Sequence, residues 1–172
     1  MCANDVLVCL SHSEADTIAF GQRLGALLQP GDLVLLQAPF GAGKTHLTKG
    51  IGAAWGIAPD DITSPSFVLV NEYITDPAHG HVTLYHADLY RIETAHELAT
   101  MGIETLLSDE GICVIEWPEH AAGWLPADHL LVKIALAAAG ERLIRLEPHG
   151  LRYRQMLDQL NALEMRTHAA GN

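Results

Sequence analysis

Apolar residues along the chain occur either at helical spacing or in short continuous runs. Phe20 and Leu24 recur at helical spacing behind Ser13–Asp16, and this pattern predicts a helix capped by the Ser13 hydroxyl. Leu33–Gln37 is a short apolar run, typical of a strand covered on both faces. A glycine-rich loop follows it, and helical spacing resumes from about Thr45. The order strand, glycine-rich loop, helix is therefore predicted.

The later apolar segments predict further strands and two helices. A capping box at Thr94 opens a helix that stops at Gly102, and Leu151–Arg166 has the spacing of an amphipathic helix. Strands that lie close in sequence are expected to pair antiparallel. The predicted strands are Ser66–Ile74, Val82–Asp88, Ile112–Glu116, Leu130–Leu136 and Leu143–Glu147.

The alternation of strands and helices predicts an α/β fold in three layers. The central sheet is expected to be mixed and mainly parallel, with antiparallel strand pairs included. A length of 172 residues fits one domain. We expect a single domain over 1–172, with its core at about 6–147, a C-terminal helix at about 151–166 and a frayed tail at 167–172.

The charge balance argues against direct binding of nucleic acid. The chain has 10 Lys and Arg against 21 Asp and Glu, and Arg91 is the single basic residue between Lys49 and Lys133. Proteins that hold a phosphate backbone usually present a basic surface. If the function involves RNA, we expect a partner protein to hold the RNA.

Nothing in the sequence indicates a membrane or secreted protein. No apolar run approaches the roughly 20 residues of a membrane helix, and the first residues lack the pattern of a secretory signal. Cys2, Cys9 and Cys113 are scattered and odd in number, as expected for free thiols. We therefore predict a cytoplasmic protein without membrane contact.

The segment Ala38–Thr45 carries the most specific chemistry. It follows the P-loop pattern of Gly, four residues, then Gly-Lys-Ser/Thr, except that Ala38 stands at the first position. Backbone N–H groups of such a loop bind phosphate oxygens, the lysine reaches the β- and γ-phosphates, and the Thr45 hydroxyl ligates Mg²⁺. The alternative is a glycine-rich turn without a ligand. The predicted nucleotide-binding residues are Gly41, Ala42, Gly43, Lys44, Thr45, His46 and Trp117.

Two acidic residues end predicted strands, and both are candidates for the metal site. Asp88 and Glu116 each close an apolar run, and ligands of open α/β sheets bind at the carboxyl ends of the strands. A P-loop site needs a carboxylate there to hold Mg²⁺ or to orient the attacking water. Either residue could instead be a solvated or capping acid. Glu116 is the sharper candidate, because four apolar residues precede it.

Two neighbouring features have both a functional and a structural interpretation. The hydroxyls of Thr63–Phe67 could contact a γ-phosphate, as a switch segment does, or could form a turn. Trp117 could pack over a nucleotide or belong to the core, and Arg91 could stabilise charge in the site or form a surface ion pair. His79, His81 and His86 lack the cysteine or acidic cluster that would complete a metal site.

Taken in order, these motifs resemble the TsaE family, a group of bacterial P-loop ATPases of tRNA threonylcarbamoyladenosine (t6A) biosynthesis. The P-loop itself occurs in many families, whereas the other blocks are more specific. Ala38 replaces the usual Gly, and Ser66 replaces the usual Thr. The resemblance covers most of the chain to about Leu146. It rests on Ser13–Gly25 with Gly31-Asp32, Gly41–Thr45, Thr63–Phe67 running into Val70–Tyr73, Tyr85–Arg91 and Ile115–Glu119.

The resemblance implies a three-layer P-loop NTPase fold and a weak ATPase that uses ATP and Mg²⁺. It implies that the protein acts with the TsaD–TsaB heterodimer, which handles the tRNA, and that hydrolysis resets this complex between turnovers. By similarity, Lys44, Glu116, Asp88 and Ser66 are catalytic, and Thr45 and Glu116 hold the metal. Whether Asp88 or Glu116 ligates Mg²⁺ directly stays open at this stage.

Two other functions are compatible with a P-loop. The first is a small-molecule kinase, which usually needs an Arg- and Lys-rich lid, and this chain offers only Arg91 between Lys49 and Lys133. The second is a nucleotide-gated binding module that does not require hydrolysis, in which ATP orders the segment 63–67 and docks a partner.

Overall fold

The structure, a computed structural model, describes residues 6–108 and 110–170. These residues form one seven-stranded sheet with helices on both faces. The strands are β1 (Leu7–Ser11), β2 (Leu33–Gln37), β3 (Val70–Ile74), β4 (Thr83–Asp88), β5 (Gly111–Glu116), β6 (His129–Leu136) and β7 (Arg142–His149). The α-helices are α1 (Glu14–Gly25), α2 (Lys44–Ala54), α3 (Ala95–Thr100), α4 (Ile103–Leu106) and α5 (Leu151–Ala170).

The sheet has a parallel centre and antiparallel flanks. The strand order is β1-β7-β6-β2-β5-β4-β3, and the parallel pairs are β6–β2, β2–β5 and β5–β4. The remaining pairs, β1–β7, β7–β6 and β3–β4, are antiparallel. The predicted mixed α/β sheet with antiparallel strand pairs is thus confirmed. Its parallel centre brings the carboxyl ends of β2, β4 and β5 to the same edge.

The central strands are apolar throughout because helices cover both of their faces. All residues of β5 are buried, and Val34 and Leu36 of β2 face one core while Leu33 and Leu35 face the other. The first core contains the apolar faces of α1, α2 and α5, and the second contains α3 and α4. This is the three-layer arrangement predicted for the chain.

Glycines allow α1 and α2 to pack with their backbones in contact. A Cβ added at Gly21 would overlap the carbonyl oxygen of Leu47, and one added at Gly50 would overlap that of Ile18. Both glycines are buried in the helix pair. The close approach fixes the position of α2, the helix that follows the glycine-rich loop.

Three local predictions were wrong or incomplete. The strand predicted from Ser66 begins only at Val70, because the backbone N–H groups of Val68 and Leu69 donate to the Pro65 carbonyl and close a turn. Strand β1 was not predicted at all. The C-terminal helix, predicted to end at about 166, extends to Ala170, since no glycine or proline interrupts it before residue 171, and the fraying of the tail from 167 stays a prediction. Residues 171 and 172 lie outside the described residues.

The described part of the chain contains no helix long and apolar enough to cross a membrane. Cys9 and Cys113 are free thiols there, as predicted, whereas Cys2 lies outside the described residues. Cys113 is completely enclosed in the second core, and this burial raises the pKa of its thiol to about 12. Cys113 is therefore an inert core residue.

Candidate functional site

The loop between β2 and α2 has the backbone that a P-loop requires. Gly41 and Gly43 have positive φ angles of 73° and 101°, which side chains with a Cβ rarely adopt. Ala38, which departs from the motif, is not among the residues with positive φ in the described part of the chain. An alanine at this position therefore imposes no backbone strain. It is buried, and its carbonyl oxygen faces into the loop.

Lys44 is the first residue of α2, and its side chain folds back under the loop. Its Nζ donates hydrogen bonds to the carbonyl oxygens of Ala38 and Pro39, each at 3.1 Å. The same nitrogen lies 3.8 Å from Glu116 Oε2 and 4.6 Å from the centroid of the Trp117 ring. The residue is only 6% exposed, so this ammonium is a preorganised, largely desolvated charge.

Arg142, the first residue of β7, braces the loop from the other side. Its Nε donates to the carbonyl oxygen of Ala42 at 3.2 Å. A Cβ at Gly43 would lie 2.8 Å from that nitrogen, so a larger residue there would have to displace the Arg142 side chain. One guanidinium nitrogen also lies 3.8 Å from Glu14 at the start of α1. The loop is thus held between α1, α2 and the antiparallel flank of the sheet.

The two predicted acids lie side by side at the ends of neighbouring strands. Asp88 of β4 and Glu116 of β5 are register partners in a parallel pair, and both are buried. Glu116 Oε1 is 2.8 Å from the Nε2 of His86, and Asp88 Oδ1 accepts a hydrogen bond from the Tyr90 backbone N–H at 2.9 Å. The parallel register therefore delivers both carboxylates to the edge where α2 begins.

The segment 63–67 reaches the same edge through its hydroxyls. Ser66 Oγ donates to Asp88 Oδ2 at 2.7 Å, and Ser64 Oγ lies 2.7 Å from Ser66 Oγ. The next residue, Phe67, is 85% exposed. The turn after Pro65 directs the hydroxyls inward and the aromatic ring outward.

Trp117 holds an uncommon backbone conformation beside Glu116. Its φ of 58° and ψ of 52° place a bulky residue in the left-handed region, where such strain clusters at functional sites. Its ring centroid lies 4.9 Å from that of Phe40 and 5.0 Å from that of Tyr90. The half-buried tryptophan and these two exposed rings form an aromatic wall on one side of the loop.

Nearly all predicted site residues line one cavity at the carboxyl ends of β2, β4 and β5. We name this cavity the P-loop pocket. It is lined by Phe40, Gly41, Gly43, Lys44, Thr45, His46, Ser64, Ser66, Asp88, Glu116 and Trp117. Among the predicted residues, Ala42 does not line the pocket, because its side chain is turned into the core. His46 lies 3.4 Å from Glu14, and Thr45 stands beside it on the first turn of α2.

Arg91 lies elsewhere, and its location differs from both sequence interpretations. Its guanidinium stacks over the Phe67 ring with its central carbon 4.8 Å from the centroid, next to a groove formed with α3. Arg91 is not among the residues that line the P-loop pocket. The basic residue that does contact the loop is Arg142.

Sequence reasoning missed His86 and Arg142. Strand alternation could have indicated His86, because it stands two residues before Asp88 and so shares its face of β4. Arg142 lies 100 positions from its partner Ala42, and no local pattern marks it. Its contribution depends on the pairing of β1 and β6 with β7.

Comparisons with known proteins all match the chain to one protein family. Residues 11–144 match the family model described as threonylcarbamoyl adenosine biosynthesis protein TsaE. The chain is 38% identical over 136 residues to the tRNA threonylcarbamoyladenosine biosynthesis protein TsaE of Treponema pallidum, covering 79% of this chain and 96% of that one. It is 33% identical over 146 residues to the protein of the same name from Bacillus subtilis, covering 85% and 88%.

A solved structure agrees with these matches. The crystal structure of Bacillus subtilis YdiB superposes with a TM-score of 0.72 at 30% identity, covering 92% of this chain and 96% of that one. The seven-stranded sheet and the loop before α2 have the arrangement of a P-loop NTPase. The family model spans more than half of the chain, and the sequence motifs lie together in one pocket. The chain belongs to the TsaE family of threonylcarbamoyl adenosine biosynthesis proteins.

Proposed function

We propose that this protein binds ATP with Mg²⁺ in the P-loop pocket and hydrolyses it slowly. The hydrolysis serves the t6A modification of tRNA and depends on partner proteins for its full rate. The observation that carries the proposal is the convergence of Lys44, Ser66, Asp88 and Glu116 in one pocket that begins at the N-terminus of α2. A buried lysine and a glycine-rich loop at a helix N-terminus together favour a polyphosphate.

Each site residue has a role that follows from its position. Lys44 binds the β- and γ-phosphates, since its ammonium already lies inside the loop. Glu116, with Asp88 as its neighbour, supports the attacking water and the metal. Ser66, hydrogen-bonded to Asp88, senses the γ-phosphate, and the aromatic wall encloses the nucleotide.

The donor set suits Mg²⁺ better than a softer metal. Thr45, Ser66, Asp88 and Glu116 offer hydroxyl and carboxylate oxygens, which are the ligands that Mg²⁺ prefers. The described residues contain no cluster of three or more His, Cys, Asp or Glu that could hold a metal alone. Mg²⁺ sites often combine one or two protein groups with substrate phosphates. Thr45 and Glu116 would hold the ion, which supplies charge neutralisation of the transferring phosphoryl group.

The acidic surface supports a division of labour with other proteins. A net charge of −11 disfavours direct contact with the tRNA backbone. We propose that the TsaD–TsaB heterodimer holds the tRNA and that ATP hydrolysis here resets that complex between turnovers. The kinase alternative has less support, because Arg91 stacks on Phe67 and no second basic residue comes from the chain between Lys49 and Lys133.

The test is ATP hydrolysis by the purified protein, alone and with the TsaD–TsaB pair. We expect slow Mg²⁺-dependent hydrolysis that the pair stimulates and that Lys44→Ala abolishes. Lys49→Ala, on the same helix but outside the pocket, is the matched control and should retain the wild-type rate. Hydrolysis that ignores the pair would contradict the proposed partnership, and phosphate transfer to a small acceptor would favour a kinase.

A further inference from the structure

His86 is a fully buried polar residue next to the P-loop pocket. It lies in β4, none of its surface is exposed, and its Nε2 is 2.8 Å from Glu116 Oε1. Its other ring nitrogen, Nδ1, has no hydrogen-bond partner among the described residues. His86 does not line the pocket itself, so it acts on the site only through Glu116.

The hydrogen bond fixes which ring nitrogen carries the proton. An ionised carboxylate can only accept hydrogen bonds, so the short contact requires a proton on Nε2. Nδ1 is buried and has no hydrogen-bond partner among the described residues, and Leu84 and Val114 on the same face of the sheet belong to the apolar core. The geometry of the contact therefore assigns Nε2–H as the donor to Glu116 Oε1.

Strand register explains why these two residues meet. Asp88 is the register partner of Glu116 in the parallel β4–β5 pair, and His86 is the partner of Val114. His86, Asp88 and Glu116 consequently point to the same face, which is the face covered by α2. From this position the imidazole reaches Glu116 diagonally across the strand pair. The contact is built into the centre of the sheet and not into a loop.

The carboxylate of Glu116 is held from two sides. Oε1 accepts from the His86 imidazole, whereas Oε2 faces the Lys44 ammonium at 3.8 Å. The directional hydrogen bond from the imidazole fixes the orientation of the carboxylate and leaves Oε2 on the side of the loop.

Core packing alone does not account for a histidine at this position. A leucine or phenylalanine would fill the space without leaving Nδ1 buried and unpaired, which costs free energy. We propose that His86 is the positioning residue of Glu116, and that it orients the carboxylate so that Oε2 is presented to the pocket. This inference rests on the proposed Mg-ATP function, because the orientation of Glu116 matters only if its carboxylate acts on Mg-ATP.

The first test reads the proton directly and needs no enzymatic activity. A long-range ¹H–¹⁵N correlation spectrum of the labelled protein should show His86 with its proton on Nε2. In Glu116→Gln the Nε2–H resonance should shift, whereas Glu119→Gln, an exposed acid three residues later, should leave it in place. A proton on Nδ1 and none on Nε2 would overturn the assignment.

The second test separates positioning from packing with two substitutions at one site. His86→Leu removes the donor, and His86→Gln retains an N–H donor near the position of Nε2. We expect His86→Leu to lower Mg²⁺-dependent ATP hydrolysis about 10–100-fold, the usual effect of losing a group that supports a metal ligand. The Kd for ATP in the absence of Mg²⁺ should change less than about threefold, and His86→Gln should recover most of the lost rate.

The control for folding is Leu84→Val, a buried residue on the same face of β4. We expect it to lower the Tm and to leave hydrolysis at low temperature unchanged. Equal loss in His86→Leu and His86→Gln, or wild-type activity in His86→Leu, would overturn the positioning role. If the wild-type protein shows no Mg²⁺-dependent hydrolysis, the proposed function is wrong. The NMR measurement of the His86 proton still tests the His86–Glu116 contact in that case, because it does not depend on activity.

Discussion

The two acids of the P-loop pocket differ in what binds their oxygens, although they are register partners. Glu116 is held by His86 and faces Lys44, so its free oxygen is directed at the loop. Asp88 accepts from Ser66 and from the Tyr90 backbone, so both of its oxygens are engaged. On this geometry we propose that Glu116 serves the metal and the attacking water, and that Asp88 anchors the segment that carries Ser66.

Glu116→Gln tests this division of roles. The amide can still accept from His86, but it lacks the charge that supports the metal and the attacking water. We expect ATP binding to survive while hydrolysis falls at least about 100-fold, within the range for loss of a general base. Hydrolysis assays, and counting of tRNA turnovers with the proposed TsaD–TsaB partners, measure the effect.

The control is Glu119→Gln, which removes an exposed acid outside the pocket and should leave both rates unchanged. Unchanged multiple-turnover modification with Glu116→Gln would show that binding suffices and that the role assigned to Glu116 is wrong.

At the scale of elements, the close packing of α1 on α2 determines the position of the loop, and Gly21 and Gly50 allow this packing. Gly50 approaches the backbone of α1 at Ile18 and Gln22, and backbone atoms cannot move aside as a side-chain end can. A Cβ added at Gly52, on the same helix, would have side-chain atoms of Ile62, Leu84 and Ile57 as its nearest neighbours, and the Ile62 atom is a terminal methyl group. An alanine at Gly50 or at Gly52 would therefore gain the same helix propensity. The added methyl group would meet backbone atoms at Gly50 and side-chain atoms at Gly52.

Substitution of these two glycines by alanine separates packing from propensity. Alanine gains about 1 kcal/mol of helix propensity at either position. We expect Gly50→Ala to lower the free energy of unfolding by about 2 kcal/mol net, because overpacking against backbone outweighs that gain. Gly52→Ala should lose less. Urea unfolding at constant m-value measures both, and equal effects would contradict the close packing of α1 on α2.

Helix α5 is anchored by an ionic contact at its first turn. Arg152 donates to Asp32 Oδ2 at 2.7 Å and to the Leu27 carbonyl at 2.8 Å, and Tyr153 Oη accepts from the Leu33 N–H. Burial raises the pKa of the Asp32 carboxyl, while the Gln29 N–H and the Arg152 charge oppose that rise. The anchor fixes α5 over the turn between α1 and β2.

Arg152→Met should destabilise the protein in a pH-dependent way. Without the guanidinium, ionised Asp32 lies buried beside fewer donors, and we expect a loss of about 1–3 kcal/mol at neutral pH. The pKa of Asp32 is already raised, and the substitution raises it further. Ionisation of Asp32 then opposes folding more strongly in the variant. The deficit is therefore small in acid, where the carboxyl is protonated in both proteins, and grows as the pH rises towards neutral.

Unfolding curves across that pH range check the prediction. Arg166→Met, an exposed arginine on the same helix, is the matched control. A deficit independent of pH would contradict the assigned role of the Asp32 contact.

The sequence predicted the elements whose signals are local. The Ser13 cap, the Thr94 capping box and the apolar runs of β2 and β5 each occupy a few consecutive residues, and each is present. Strand β1 was missed because its pairing with β7, over 130 positions away, defines it. The site followed the same rule: the loop and the strand-end acids were predicted, whereas His86 and Arg142 depend on register and on distant pairing.

At the scale of the whole molecule, Cys113 reports on the opening of the central sheet. It lies in β5 between two parallel partners, and burial raises its thiol pKa to about 12. We expect alkylation at about pH 8 to require global unfolding, since the thiolate is the reactive form. Mass spectrometry of the Cys113 peptide should show a rate that rises with urea as global unfolding does. Labelling as fast as that of half-exposed Cys9 without urea would contradict this.

The whole molecule combines a parallel sheet centre with a loop that three surrounding elements hold in place. The central proposal is that the P-loop pocket binds Mg-ATP through Lys44. Calorimetric titration with ATP and Mg²⁺ tests this most directly. We predict binding by the wild type and at least about 100-fold weaker binding by Lys44→Ala, because a desolvated, charge-assisted contact is lost. Equal affinity in the two proteins, or no binding by the wild type, would contradict the account.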